Sequence, residues 1–287
     1  MLLTDLTNNK KIEVKGGLYI ISTPIGNRFD ITLRAIYILD KSSVLICEDT
    51  RTTKKLFKLL NLNTKAKTWI PYNDHNASSK IDYILKELGK NKVVSLVSEA
   101  GTPLISDPGY KLLQEAMRNK INIVPVPGAS AITAALTISG AKTDNFCYLG
   151  FLSRNKYVET LHKYSLLKTT LVIFEAASRV QSLIKDIFTH FKKAKLVIVR
   201  ELTKVHEEVI HIDITDFEKY IKNDFKFKGE ITIILELNNY KNEMVFSDSY
   251  LLKQLKKFKP SQVAAMLAKS SKQNREEIYK RCIGLVK

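Results

Sequence analysis

The sequence predicts an α/β protein built from two α/β domains, with a small helical module at the C-terminal end. Three observations carry that expectation. Apolar runs of strand length alternate with stretches of helical periodicity from Gly17 to Leu237. Most of these strand-like runs end in a polar cluster of turn-forming residues, the position at which open α/β sheets bind ligands. The alternation then stops near Leu237 and gives way to a basic stretch of helical pattern.

Gly17–Thr23 is the first strand-like run. A helical pattern follows at Ile31–Leu39, with Asp30 as its expected N-cap. Val44–Glu48, Thr68–Tyr72, Val93–Ser98 and Ile121–Val126 continue the strands, separated by helical patterns at Thr52–Leu60, Ile81–Leu88 and Tyr110–Arg118. This order, βαβαβαβαβ, is that of a mostly parallel sheet covered on both faces. After Pro127-Gly128-Ala129-Ser130, a helix of small residues (Ala131–Ser139) leads into a second set. Its strands read Phe146–Phe151, Thr170–Phe174, Leu196–Leu202, Val205–Ile212 and Glu230–Leu237.

The expected organisation is a polar arm (1–15), an N-terminal α/β domain (16–128), a C-terminal α/β domain (129–240) and a basic helical extension (241–287). In the extension Lys241–Ser249 reads as a polar linker. Ser261 reads as the cap of a helix with Val263, Met266 and Leu267 inward. The break Ser270–Asn274 precedes a second helix carrying Ile278, Tyr279, Ile283 and Leu285, an arrangement like a helix-turn-helix. No internal repeat or low-complexity tract is visible.

Composition narrows the function. Hydrophobic residues make up 45% of the 287, as in a globular protein. No apolar run reaches the roughly 18 residues of a membrane span. Met1–Lys15 has no apolar core of a signal peptide, so the cytoplasm is the expected location. Cys47, Cys147 and Cys282 are scattered without a CxxC pair, and Cys47 and Cys147 sit in apolar runs as ordinary core residues. The net charge of +17 points to an anionic partner such as nucleic acid. Nine Arg stand against 37 Lys, a skew that genomic base composition also produces. The few arginines are therefore the more informative: Arg28, Arg51, Arg179 and Arg200 fall at or beside strand ends, where a planar bidentate donor has uses that Lys cannot replace.

The densest signal is the stretch Val94–Gly109, an apolar strand ending in a long turn rich in Gly, Pro, Ser and Asp before helical pattern resumes. Gly101 permits close approach of backbone to a ligand, and Pro103 and Pro108 stiffen the loop. GxGxxG after the first strand and GxxxxGK[ST] anywhere are both absent, which excludes ordinary dinucleotide-binding dehydrogenases and P-loop NTPases. His206–His211 superficially resembles a zinc-protease helix, but its histidines are five apart and lie on opposite faces of a strand, so no metal is expected. Polar clusters Ser22–Asn27, Glu48–Arg51, Tyr72–Asn76, Glu99–Gly109 and Pro127–Ser130 follow successive strands and are expected to converge on one cleft.

The strings Thr23-Pro24-Ile25-Gly26-Asn27, Glu48-Asp49-Thr50-Arg51, Ala100–Gly109, Arg200–Lys204 and Lys228-Gly229-Glu230 occur in this order in one family. The chain resembles the ribosomal small-subunit methyltransferase I family, the 16S rRNA cytidine 2′-O-ribose methyltransferases of the tetrapyrrole-methylase superfamily, from about Gly17 to the C-terminus. The resemblance implies S-adenosylmethionine as methyl donor, a donor cleft between two α/β domains, and a homodimer. It also implies, as substrate, a cytidine of the decoding region of 16S rRNA, within the small ribosomal subunit or its precursor. Three places depart from the pattern: Glu99 replaces the usual Asp, Ala129 a common Pro, and Phe174-Glu175-Ala176-Ala177-Ser178-Arg179 a Phe-Tyr-Glu-Ser-Pro-His-Arg-type string. The usual Pro and His of that last string are missing.

Transfer of a methyl group from a sulfonium to a ribose hydroxyl needs in-line approach and desolvation of both reactants, helped by a base or by a cation that favours the alkoxide. Asp49, His75, Glu99 and Glu201 are the candidate bases, and Arg51, Arg200 and Lys204 the candidate cations or phosphate clamps. Arg200/Glu201 serves equally as a structural ion pair. The residues expected in catalysis are Asp49, Arg51, His75, Glu201 and Lys204. Those expected around the donor are Pro24, Ile25, Gly26, Glu99, Ala100, Gly101, Thr102, Pro103, Leu104, Ile105, Ser106 and Ser130, acting chiefly through backbone groups. Two other readings fit the residues: methylation of a small tetrapyrrole-like metabolite on the same fold, and a non-catalytic RNA-binding module.

Overall fold

The alternation of the first half folds into a five-stranded sheet in which every pairing is parallel. The computed structural model describes residues 13–165, 167–191, 193–222, 226–237, 248–271 and 274–286. Most of the expected N-terminal arm, most of the expected linker and part of the expected 270–274 break lie outside them. Strands β1 (Gly17–Ile21), β2 (Val44–Cys47), β3 (Thr68–Pro71), β4 (Val93–Val97) and β5 (Ile123–Val126) take the order β3-β2-β4-β1-β5. Gly17 is paired with Val93 and Ile21 with Val97. Between the strands run helices α1 (Leu33–Lys41), α2 (Thr50–Leu59), α3 (Ala77–Gly89) and α4 (Tyr110–Arg118).

The two-residue period of the strands sorts their side chains onto the two faces. Leu18, Val44, Ile46, Val94 and Leu96 pack with Ile84 and Leu88 of α3 and Leu112 of α4. Tyr19, Ile21, Leu45, Cys47 and Val97 pack with Ile38 and Leu39 of α1 and Phe57 of α2. Both faces are thus dry, the condition under which purely parallel sheets occur.

Helix α5 (Ala131–Ser139) follows, and then β6 (Phe146–Phe151), α6 (Tyr157–Ser165), β7 (Thr170–Ala176), α7 (Val180–His190), β8 (Ala194–Arg200), β9 (Glu208–Ile212), α8 (Phe217–Ile221) and β10 (Glu230–Leu237). The second sheet has the order β6-β7-β10-β8-β9 and is mixed: β6 and β7 are parallel, whereas β10 runs antiparallel to β7 and β8, and β9 to β8. One face is covered by Leu161 of α6 and by Val180, Leu183, Ile184, Ile187 and Phe188 of α7. Against the other lie Ala135 and Leu136 of α5 and, from the first half of the chain, Ile25, all packed with Val172, Val197, Val199 and Ile234. The small side chains of α5 let that helix lie close to the sheet.

Several local expectations are corrected. Asp30 does not cap the first helix. Asn27 accepts a hydrogen bond from the Phe29 N–H (3.1 Å) and starts a 3₁₀ turn at Arg28–Asp30. Thr32 then caps α1 by accepting from the Ala35 N–H (3.1 Å). The expected strand Leu196–Leu202 ends two residues earlier, at Arg200, and Val205–Ile212 starts three later, at Glu208, because Glu201 (φ 51°) and Thr203 (φ 62°) are left-handed and turn the chain. His206 lies in that turn and His211 in β9, and no group of three or more potential ligands that could hold a metal exists among the described residues.

The chain forms two compact units, the second beginning after Leu237. It contains α9 (Asp248–Leu255), α10 (Pro260–Ser271) and α11 (Arg275–Val286), so three helices are present where two were expected. Leu251, Val263, Ala264, Leu267, Ile278 and Cys282 form its core. Met266, expected inward, is exposed, as is Tyr279. Pro260 opens α10, a position where its missing N–H costs nothing, and Ser261 lies inside the first turn instead of capping it. No described helix is long and apolar enough to cross a membrane.

The cap assignment has a direct consequence. Thr32→Ala should lower stability by about 1 kcal/mol in urea unfolding, while Asp30→Ala should leave it nearly unchanged. The reverse order would restore Asp30 as the cap.

Candidate active site

The loop after β4 is tied to the loop after β1 by backbone. The Thr23 N–H donates to the Gly101 carbonyl (2.8 Å) and the Gly101 N–H to the Thr23 carbonyl (3.1 Å), a single antiparallel bridge beyond a parallel strand pair. Side chains extend the tie. The Thr23 hydroxyl donates to the Ser98 carbonyl (3.2 Å), Ser98 to the Gly101 carbonyl (2.8 Å) and Thr102 to the Ala129 carbonyl (3.1 Å). Gly101 adopts φ 79°, and a Cβ there would stand 3.2 Å from the Ile25 side chain. Leu104 (φ 73°) and Ser106 (φ 65°) are also left-handed, so the loop coils tightly. Its far end reaches the second sheet, where the Ser106 and Tyr148 hydroxyls lie 2.6 Å apart.

A cavity of about 460 Å³ opens between this loop and the strand ends of the second sheet. Ile25, Ala100–Thr102, Ile105, Ser130 and Ile132 line it from one side, and Phe151, Phe174, Leu202, Ile231 and Thr232 from the other. Phe174 stands edge-on to Tyr148 and Phe151 (centroids 5.0 and 5.7 Å). The charged groups of the lining are all acidic: Glu48, Glu99, Asp107, Glu175 and Glu230. Burial raises the Asp107 carboxyl to about 6, assisted by the charge of Glu48 and then that of Glu99, with a Ser98 hydrogen bond opposing. Burial likewise raises Glu99, with Glu48 and Asp49 adding to it. A space with apolar walls and clustered carboxylates suits a flat ligand that carries positive charge.

Beside this cavity lies a groove lined by Pro24, Ile25, Gly26, Arg28, Thr52, Thr53, Lys55, Leu56, Glu99, Ala100 and Lys204, among others. Ile25, Glu99 and Ala100 border both spaces. Lys204 is held by Glu201 (2.9 Å) and Glu230 (3.1 Å), and the Glu230 N–H donates to Glu201 (2.9 Å). That N–H, and then Lys204, keep Glu201 below the usual carboxylate range. A Cβ on Gly229 would overlap the Glu201 carboxylate, and one on Gly26 would stand 2.5 Å from Lys204 Cγ, so both glycines are required by close approach of the chain.

Of the residues expected around the donor, Ile25, Glu99, Ala100, Gly101, Thr102, Ile105, Ser106 and Ser130 line the cavity. Pro24 and Gly26 line the groove, and Pro103 and Leu104 face neither space. Of those expected in catalysis, Lys204 lines the groove, with Glu201 bonded behind it. Asp49 caps α2 and is bound by the exposed Arg51 side chain (2.7 Å), which holds its carboxyl at about 2. Asp49, Arg51 and His75 line neither space. His75 sits after the edge strand β3, in a turn formed by Asn73 and Asn76. The site also contains groups that sequence reasoning did not select: Glu48, Asp107, Glu175, Glu230, Phe151 and Phe174. Glu48 and Asp107 stood inside clusters expected to converge on one cleft, and Glu230 inside a family string, but nothing local singled these side chains out from their neighbours. The two phenylalanines read as ordinary strand residues.

Comparison with known proteins agrees with this geometry. Residues 17–218 match the family Tetrapyrrole (Corrin/Porphyrin) Methylases. The chain is 42% identical over 232 residues to the ribosomal RNA small subunit methyltransferase I of Rickettsia prowazekii, covering 78% of this chain and 80% of that one. It is 39% identical over 222 residues to the protein of that name from Thermotoga maritima, covering 77% and 98%. Among solved structures, uroporphyrin-III C-methyltransferase from Thermus thermophilus, complexed with S-adenosylhomocysteine, superposes with a TM-score of 0.55 at 15% identity, covering 77% of this chain and 97% of that one. At that identity the likeness speaks for the fold.

The raised Asp107 carboxyl sets a pH dependence. The folded state holds this proton more tightly than the unfolded chain, so the group favours folding below about pH 4, and that contribution is lost as pH rises through about 6. Asp107→Asn stays neutral throughout. Its stability relative to the parent should therefore rise by on the order of 2 kcal/mol between pH 4 and pH 7.5 in urea unfolding. A difference independent of pH would contradict the burial of this carboxyl.

Proposed function

The chain belongs to the ribosomal RNA small-subunit methyltransferase I family, and we propose that it methylates the 2′-hydroxyl of a cytidine ribose in the decoding region of 16S rRNA, with S-adenosylmethionine as donor. The observation that carries this reading is the meeting of two spaces of opposite character: an acidic cavity with apolar walls, and a groove bearing Arg28, Lys55 and Lys204. S-adenosylmethionine, when bound, supplies a methyl group on a positively charged sulfur that becomes neutral on transfer. The chemistry of the cavity fits such a group. Carboxylates at Glu48, Glu99, Asp107 and Glu230 favour positive charge, and Phe151, Phe174, Ile105 and Ile132 offer apolar surface to a flat ring. Gly101, Thr102, Ile105 and Ser106 line the cavity on a loop that Pro103 and the Thr23 bridge stiffen, so little ordering is needed on binding.

Glu99 borders cavity and groove, and its raised proton affinity makes it the best placed acceptor for the ribose hydroxyl proton. Asp49 and Glu201 are too strongly held as carboxylates to serve as bases near neutral pH. Lys204, anchored by Glu201 and Glu230, is placed to stabilise developing negative charge on the ribose oxygen or to hold a phosphate. Arg51, almost fully exposed beside Asp49 and outside both spaces, is our proposed contact for a phosphate of the same strand. Residues 241–287, with eleven Lys and Arg against four Asp and Glu, add a basic RNA-binding module to the α/β domains proposed at 16–128 and 129–240, and the working form is a cytoplasmic homodimer.

Incubation of small ribosomal subunits that lack the modification with labelled donor, followed by nucleoside digestion, should yield labelled 2′-O-methylcytidine. Label on a base, or on a tetrapyrrole alone, would overturn this reading. Lys204→Ala should lower the single-turnover rate at saturating RNA at least tenfold and change donor affinity less than threefold; equal loss of both would place Lys204 at the donor instead.

Gly101→Ala strains a left-handed residue and presses on Ile25, so it acts on the wall of the cavity itself. Donor binding measured by calorimetry should weaken about tenfold or more, with a destabilisation of about 1–2 kcal/mol. Undiminished binding in the folded variant would remove this loop from the donor site.

A further inference from the structure

A second groove continues the first along the outside of the first sheet. It is lined by Arg28, Phe29, Ile31, Leu33, Lys55, Lys58 and Leu59, among others, and shares Arg28, Lys55 and Leu59 with the groove that carries Lys204. The two form one track running from the mouth of the acidic cavity, at Ile25 and Glu99, out over helix α2.

The residues of this track are costly for a surface that binds nothing. Phe29 is 78% exposed on a three-residue turn, and Leu33 and Leu59 are 46% and 47% exposed. The turn is nevertheless fixed. Asn27 accepts from the Phe29 N–H, and the Asn27 N–H donates to the Thr203 hydroxyl (2.9 Å), which fastens the turn to the segment carrying Lys204. The Arg28 guanidinium stands over the Phe29 ring, 4.9 Å from its centroid. On α2, Lys55, Lys58 and Leu59 share one helical face by their three- and four-residue spacing, while Thr53 and Phe57 turn inward. Arg28, Lys55 and Lys58 have no carboxylate within salt-bridge distance among the described residues, unlike Arg51, Arg200 and Lys204.

An exposed aromatic ring on a rigid turn, flanked by three unpaired cations, is the composition of a single-strand nucleic-acid platform. Rings stack with bases, and the cations follow the phosphates. A dimer contact built on the same residues would leave those three charges to be desolvated without partners. The opposite sign of the neighbouring cavity adds direction: a polyanion is attracted along the track and repelled from the carboxylates of the cavity, so its ribose stops at the boundary formed by Ile25, Glu99 and Ala100.

We propose that the track Arg28–Phe29–Lys55–Lys58 binds the unpaired RNA strand next to the target nucleotide, with one flanking base stacked on Phe29 and its phosphates on Lys55 and Lys58. This rests on the RNA reading above and names the part of the strand that the site holds. It assigns the grip on the substrate to the first α/β layer, independently of the basic C-terminal unit.

The test uses the full chain and a fluorescein-labelled, single-stranded 12-nucleotide RNA of mixed pyrimidine sequence, with affinity read by anisotropy across a salt series. Phe29→Ala should weaken binding about tenfold with an unchanged salt slope, and Phe29→Trp should restore it. The double variant Lys55→Gln, Lys58→Gln should flatten the slope of log affinity against log salt by about 1.4, the value for two phosphates of a single strand. Calorimetric binding of S-adenosylmethionine should stay within twofold in all of them. Wild-type transfer to RNA together with undiminished RNA binding by Phe29→Ala and the Lys variant would overturn the track while leaving the RNA function intact. Absence of RNA transfer by the wild type would instead defeat the function itself. Unchanged RNA binding with a concentration-dependent loss of dimer in Phe29→Ala, by sedimentation, would assign the face to a second copy of the chain and overturn the proposal.

Discussion

Two backbone hydrogen bonds between Thr23 and Gly101 hold the centre of this molecule together. Strands β1 and β4 are parallel neighbours and end at the same edge of their sheet, so their chains would otherwise diverge into separate loops. The bridge turns the β4 chain back against the β1 chain, and the left-handed backbone of Gly101 makes that possible. Its consequences reach both sheets. Ile25, just beyond the bridge, enters the core against Val172, Val197 and Ile234 of the second sheet, and Thr102 clasps the segment leading into α5. Remove this tie and the wall of the cavity, the approach of α5 and the boundary between cavity and groove all lose their common support.

Electrostatics divides the site at that boundary. The chain carries a net charge of +17, yet five carboxylates line the cavity beside the Gly101 loop. Net charge therefore describes the partner that approaches the surface, while the cavity obeys its local lining. Burial is the main reason that Asp107 and Glu99 hold protons more tightly than free side chains, and the neighbouring carboxylates add to it. Asp49, bound by Arg51, and Glu201, held by the Glu230 N–H and then by Lys204, move the opposite way.

The departure from the family pattern after β7 also finds a physical account. Glu175 is buried, ion-paired to Arg179 at 2.6 Å across one 3₁₀ turn, and accepts hydrogen bonds from the Tyr157 hydroxyl and the Ala176 N–H. A cation and two donors thus compensate the burial of this carboxylate at the turn where the family's Pro and His are missing. Glu and Arg are the two members of the string that this pairing requires, and both are present.

Much of the architecture was legible in the residues. All ten strands, the parallel character of the first sheet and the long turn after β4 follow from local apolar period and turn chemistry, which depend only on neighbours in the chain. The helix cap at Thr32 and the turn at 201–207 were misread because several residues there can cap or turn equally well, and the choice falls to hydrogen bonds made elsewhere: Asn27 with Thr203, and Glu201 with Glu230. Likewise, a string can mark Gly101 or Glu99 as unusual, whereas Glu230, Phe151 and Phe174 become site residues only because the second sheet brings its strand ends to the same cavity. Local pattern and extended strings were enough for the ten strands, their order and the family, but not for the third helix of the C-terminal unit. Tertiary structure alone decided which carboxylates share a cavity and which cations stay unpaired, because proximity across 50 to 180 residues of chain is set by the packing of two sheets and leaves no local trace.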